Sequence, residues 1–155
     1  MNTPFNFRLT KFPNEAEILR HEVREFLSDA LKDIPKETRA ETWYGADENF
    51  SRKVGQKGWI GLNWPKEYGG AGRSSMERYV ILEEMLTAGA PVGAHWISDR
   101  QSGPLIIRYG SEKHQKELLP GILKGESYFC IGMSEPDSGS DLAALRTKAE
   151  KKGNI

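Results

Sequence analysis

Apolar residues recur at helical spacing along this chain as far as Gly125, and beyond it the pattern becomes that of extended chain. That switch constrains the fold most, because a helix-period pattern does not rest as a strand, nor the reverse. Ile18, Leu19, Val23, Phe26, Leu27, Ala30 and Leu31 fall on one helical face. Asn14, with Glu17 three residues on, reads as an N-cap with a capping box. Pro35 is expected to end that helix, since it lacks a backbone N–H and disfavours helix at the preceding residue. A weaker helix is expected over Asp47 to Lys57, stopped by Gly58. Residues 59–70, with Trp59, Trp64 and Tyr68, read as an aromatic and glycine loop packed beneath the helices.

Ser74 and Glu77 form a second capping box. The run after it (Tyr79, Val80, Ile81, Leu82, Met85, Leu86) is apolar enough to predict burial on more than one side, and Gly89-Ala90-Pro91 closes it. Trp96 to Tyr109 reads as a fourth helix with a kink at Gly103-Pro104. Leu118, Leu119, Ile122 and Leu123 mark a fifth, closed by Gly125, with Pro120 weighing against its continuity. Ser127 to Met133 then reads as a strand, Glu135 to Asp141 as a turn cluster, and Thr147 to Glu150 as the start of a second strand. Lys151-Lys152-Gly153-Asn154 resembles a hairpin turn. A strand pair alone is marginal. The fold expected is mainly α: a helical domain over 1–125, then the truncated opening of a β-domain over 126–155.

Charge and composition narrow the function. Lys plus Arg and Asp plus Glu both number 22, a balance that argues against nucleic-acid binding and against a polybasic membrane anchor. An apolar fraction of 37% is too core-rich for a disordered chain. No stretch approaches the roughly 20 apolar residues of a membrane span, and Met1 to Thr10 lack the apolar run of a signal peptide. A single cysteine, Cys130, suits a reducing compartment, so a cytoplasmic location is expected. Gly70-Ala71-Gly72-Arg73-Ser74-Ser75 lacks the last glycine of a dinucleotide fingerprint and a preceding strand. In Gly132-Met133-Ser134-Glu135-Pro136 a proline replaces the second glycine of a nucleophile elbow. His21, His95 and His114 lack metal-ligand spacing, and His21 and His114 are expected on solvated helix faces. Neither a hydrolase nor a metal site is expected.

Met133 to Asp141 is the informative segment. It combines hydroxyls, a flexible glycine and backbone amides that can form a nest of donors for a phosphate or the edge of a heterocycle. A plainer reading is a serine-rich turn into the next strand.

The run from Cys130 through Met133-Ser134-Glu135-Pro136 to Gly139-Ser140-Asp141-Leu142 resembles the flavin-binding signature of acyl-CoA dehydrogenases. Gly58-Trp59-Ile60-Gly61-Leu62 with Pro65 to Gly70 is similar to that family's N-terminal loop, and Arg108 to Gly125 to its fifth-helix region. The resemblance implies FAD, with Ile131, Gly132, Met133 and Ser134 on the pyrimidine side of the flavin ring, and Gly139 and Ser140 toward its phosphates. Ser140 would also meet the acyl-CoA substrate. Ser134 stands where many members have threonine, and Asp137 and Ser138 depart from the commoner glycine or alanine.

The family's catalytic glutamate belongs to a C-terminal helical domain, so no catalytic base is expected within these residues, and the 155-residue chain is expected to be inactive alone. Implied partners are acyl-CoA, an electron-transfer flavoprotein or another acceptor, and further copies of the chain when full length. The helix at Trp96 to Pro104 would wall the acyl pocket. It is polar for a fatty-chain wall, which fits a bulky or polar acyl group, or else a weak surface ion pair between Asp99 and Arg100. A same-fold acyl-CoA oxidase or nitroalkane oxidase, and a non-catalytic helical interaction module, are the alternatives.

Overall fold

The computed structural model describes residues 11–153. Seven helices follow one another: α1 (Asn14–Ala30), α2 (Lys36–Ala40), α3 (Glu48–Gln56), α4 (Ser75–Thr87), α5 (Gly93–Ile97), α6 (Gly103–Tyr109) and α7 (Glu112–Leu123). The readings of Met1 to Thr10 and of Asn154 lie outside the described residues.

α1 lies along α4 and buries Leu19, Val23 and Leu27 against Val80, Ile81 and Met85. The seam is edged by charge. Glu84 on α4 accepts from Arg20 at 2.5 Å and Arg24 at 2.7 Å, and these bonds, Arg24 foremost, hold its carboxyl below the usual carboxylate range despite burial. Phe50 and Val54 of α3, Leu119 and Ile122 of α7, and the loop residues Trp59, Ile60, Leu62 and Trp64 complete one core. The aromatic loop packs as its composition predicts, with Phe26 edge-on to Trp59 at 5.0 Å.

Capping explains several helix starts. Ser74 accepts from the N–H of Glu77 at 3.2 Å while the Glu77 carboxylate accepts from the N–H of Ser74 at 2.8 Å, the reciprocal box read from the sequence. Asp47 caps α3 by accepting from the N–H of Phe50 at 2.6 Å. Asp47→Ala is expected to cost about 1 kcal/mol, with a Tm about 2–4 °C lower. Asp47→Ser, which keeps an acceptor, should recover most of the loss in a thermal melt.

The structure corrects the reading of α1 and α2. Pro13 is the N-cap residue and Asn14 already lies in the first turn, without a side-chain cap bond. The Pro13 carbonyl instead receives the N–H groups of Ala16 and Glu17, and the Glu17 carboxylate turns to Arg20 at 3.1 Å. Ile18 is 69% exposed rather than on the core face. Pro35 does not end α1, which has closed at Ala30; it precedes α2, a helix the periodicity missed. α4 buries one side only, leaving Tyr79 and Leu86 exposed.

α5 and α6 form a single rod interrupted by a π-helical turn, Ser98–Ser102. The Gly103 N–H closes the wide turn on the Ser98 carbonyl, and Pro104 lies in the first turn of α6, where its missing N–H is tolerated. A side chain at Gly103 would strike the Trp64 ring. α7 runs through Pro120 without a break and ends on Gly125, at φ 70° with no room for a side chain against the Ser51 carbonyl of α3.

No strand forms among the described residues: Ser127 to Met133 and Thr147 to Glu150, both expected as strands, pair with nothing in a ladder. A strand without a neighbouring sheet has no ladder to join. Three hydrogen bonds instead tie this segment to the helices and their end, the Ser127 N–H donating to the Gly121 carbonyl at 3.1 Å, Ser98 Oγ to the Ser127 carbonyl at 3.0 Å and Tyr128 Oη to that of Gly125 at 2.8 Å. No helix among the described residues is long and apolar enough to cross a membrane.

Candidate functional site

Past Phe129 the chain carries a largely exposed rim of small and polar residues. Ile131, Gly132, Met133, Ser134, Gly139 and Ser140 are all exposed. No described residue accepts from the N–H groups of residues 131–134 or engages the Ser134 and Ser140 hydroxyls. A side chain at Gly132 or Gly139 would meet only open space. The rim therefore offers free donors with room in front of them. That donor set fits the acceptor-rich edge of a flavin ring and its phosphates.

The rim belongs to a loop closed on itself. Glu135 and Ser138 exchange backbone bonds at 2.8 and 3.1 Å, and the buried Ser138 hydroxyl donates to the Asp141 carbonyl at 2.6 Å. A helical turn over Leu142–Ala144 follows. The Glu135 carboxylate then accepts from the N–H of Arg146 at 2.9 Å, from that of Thr147 at 2.6 Å, and from the Thr147 hydroxyl. These bonds, the one from the Thr147 side chain foremost, hold the Glu135 carboxyl below the usual carboxylate range. Glu135 sits inside the motif, but its partners lie 11 and 12 residues away and no local spacing signals them.

Across the helical domain, the rod of α5 and α6 presents Trp96 and Arg100. Arg100 does not pair with Asp99; its guanidinium lies over the Trp96 ring, 4.5 Å from the centroid. Asp99 is buried, accepting from the Gly61 N–H at 2.8 Å and pairing with Arg78 at 3.0 Å. The surface ion pair expected from the sequence is thus replaced by a buried tie between three segments. Beside it a groove of about 550 Å³ is lined by Tyr79, Leu82 and Leu86 of α4 and by Arg78 and Arg100.

His21 and His114 are exposed, whereas His95 is buried and shares a 2.8 Å hydrogen bond between its Nδ1 and Ser51 Oγ. Burial pushes its pKa down to about 4. Among the described residues no three His, Cys, Asp or Glu side chains could hold a metal ion together.

Comparison with known proteins agrees with this architecture. The sequence model of the acyl-CoA dehydrogenase N-terminal domain matches residues 13–126. The chain is 36% identical over 152 residues to the acyl-CoA dehydrogenase FadE26 of Mycobacterium tuberculosis, covering 95% of this chain and 37% of that protein. Its structure resembles the Tcur3481-Tcur3483 steroid ACAD with a TM-score of 0.78 at 36% identity, over 92% of this chain and 37% of that one. It also resembles a glutaryl-CoA dehydrogenase of Mycobacterium smegmatis in complex with FADH2, with a TM-score of 0.72 at 26% identity, over 92% of this chain and 36% of that one. The chain thus spans a little over a third of the length of these relatives. Helical architecture, loop motifs and matched residues agree, and the chain belongs to the acyl-CoA dehydrogenase family, whose N-terminal helical domain it carries.

Proposed function

We propose that this chain supplies flavin and acyl-CoA contacts to an FAD-dependent dehydrogenase that introduces a double bond between the α and β carbons of an acyl thioester. The observation that carries the reading is the rim at residues 131–140, where the family's flavin signature coincides with free N–H groups, two free hydroxyls and open space at both glycines. The N–H groups of Ile131 and Met133 and the Ser134 hydroxyl hold the pyrimidine edge of the ring. Gly132 and Gly139 leave room for its approach, and Ser140 serves the phosphates and the acyl-CoA. When bound, the flavin supplies a hydride acceptor. The α-proton is taken by a carboxylate base in the family's C-terminal domain, so within this chain the contribution is binding and orientation.

The groove between α4 and Arg100 supports a bulky acyl group, in keeping with the similarity to a steroid ACAD. Acceptance of electrons by an electron-transfer flavoprotein, assembly with further copies and a cytoplasmic location are part of the same reading.

Substitution of the two hydroxyls tests it. A neutral hydrogen bond contributes about 0.5–1.5 kcal/mol and one to a charged group about 1.5–3. Ser140→Ala is therefore expected to weaken FAD or acyl-CoA binding by about 10- to 100-fold. Ser134→Ala is expected to shift the flavin absorbance or potential while substrate affinity stays within about tenfold. Titration of FAD and acyl-CoA into each variant, beside a thermal melt, reads both effects. Lower Tm with unchanged affinities and spectra in both variants would sink the assignment.

A further inference from the structure

The flavin reading leaves unexplained what keeps the rim in shape. No ladder fixes it, and its residues are exposed. A loop of this length loses chain entropy on closing, so something must hold its ends together. The bonds doing so converge on one side chain. Glu135 stands directly after Ser134, and its two carboxylate oxygens reach across the loop to the N–H groups of Arg146 and Thr147 and to the Thr147 hydroxyl. Bonds to an ionised acceptor are the strong kind, and here both oxygens are used. Its own backbone pairs with Ser138, whose hydroxyl bridges to the Asp141 carbonyl on the far side of Ser140. Ser134 and Ser140 thus flank one knot, and the carboxylate is the only group in it that binds the far end of the loop among the described residues.

We propose that Glu135 is the positioning residue of the cofactor rim: by clamping residues 146 and 147 it holds Ser134 and Ser140 in one ligand-facing arrangement. The clamp touches neither ligand nor reacting atoms. Its link to FAD rests on the flavin reading above; its effect on the order of the loop does not.

The two parts are tested together on the isotopically labelled 155-residue protein. In Glu135→Ala the amides of Arg146 and Thr147 are expected to exchange about 10- to 100-fold faster. Those of Ser134, Gly139 and Ser140 should lose order with them in relaxation measurements, while the helical amides and the Tm stay as they are. Glu135→Gln keeps an acceptor oxygen without the charge and is expected to restore part of the order. Thr147→Val removes only the hydroxyl donor and should give a smaller effect of the same kind. FAD affinity should follow the same ranking, falling at least tenfold in Glu135→Ala and recovering in Glu135→Gln. If Ser134 and Ser140 keep their wild-type order while only Arg146 and Thr147 change, the clamp is a local cap and the proposal is overturned. If FAD fails to bind the wild-type chain, the flavin reading falls, and the relaxation measurements still decide the clamp.

Discussion

Asp99→Ala is expected to destabilise the protein by about 3–5 kcal/mol, the usual loss when one partner of a buried ion pair is removed. Asp99 joins three segments that sequence alone keeps apart: the π turn that carries it, the aromatic loop through the Gly61 N–H, and α4 through Arg78. Its side chain is 8% exposed and that of Arg78 is 21% exposed, so water replaces neither partner readily. Alanine leaves a buried N–H without an acceptor and a guanidinium without its counter-charge. Asp99→Asn keeps an acceptor for Gly61 and loses only the charge, so it should recover part of the stability in urea unfolding. A loss below about 1 kcal/mol in Asp99→Ala would mean the pair behaves like an exposed salt bridge. The consequence reaches the site, because the same turn sets Arg100 over Trp96 and anchors Ser127 through Ser98.

Features legible in the sequence are those whose physics is local. The Ser74–Glu77 box and the Gly125 stop each depend on residues within one helical turn, and each stands as read, whereas Asp47, expected as the first helical residue, is the cap of α3. The Asn14 cap does not form for an equally local reason: Pro13 holds the N-cap position, and it has no side-chain acceptor with which to build a box. An interruption near Gly103-Pro104 was visible, but neither its form as a π turn nor the close approach of Gly103 to Trp64, a contact across 39 positions of chain, was. Asp99 and Arg100 looked like neighbours that pair, although adjacent helical residues do not face each other. Their true partners, Arg78 and the Trp96 ring, sit where only the folded chain brings them.

The candidate site divides the same way. The motif was legible because its residues are contiguous. The closing bonds to Arg146 and Thr147 were not, since no periodicity links a turn glutamate to backbone amides so far along the chain. Ser127 to Met133 shows the opposite error. Its composition favours a strand, yet strand formation is a property of a pair, and composition cannot supply the partner.

His95 yields the second large effect, and it appears in acid. Its ring lies between α5 and α3, hydrogen-bonded to Ser51 and stacked near Phe50 at 6.4 Å, and burial holds it neutral down to a pKa of about 4. Asp99 opposes this shift and is outweighed. In the unfolded chain a histidine takes up its proton near pH 6.5. Between those two values the unfolded state binds a proton that the folded state refuses, so stability is complete above about pH 6.5 and falls as the pH drops toward 4. A shift of this size corresponds to about 3 kcal/mol, all of it lost by about pH 4. Glu77 and Glu84, whose carboxyls are held low by their hydrogen bonds, add to acid sensitivity only where carboxylates begin to protonate, at the lower end of that window. Urea unfolding of the wild type should therefore lose stability from pH 6.5 downward, whereas His95→Gln, less stable at pH 7, should stay nearly flat until the carboxylates titrate. The ring itself can be followed by NMR. A His95 that titrates near pH 6.5 in the folded protein, or a variant with the same acid slope as the wild type, would show that the buried ring is not the source of the acid lability.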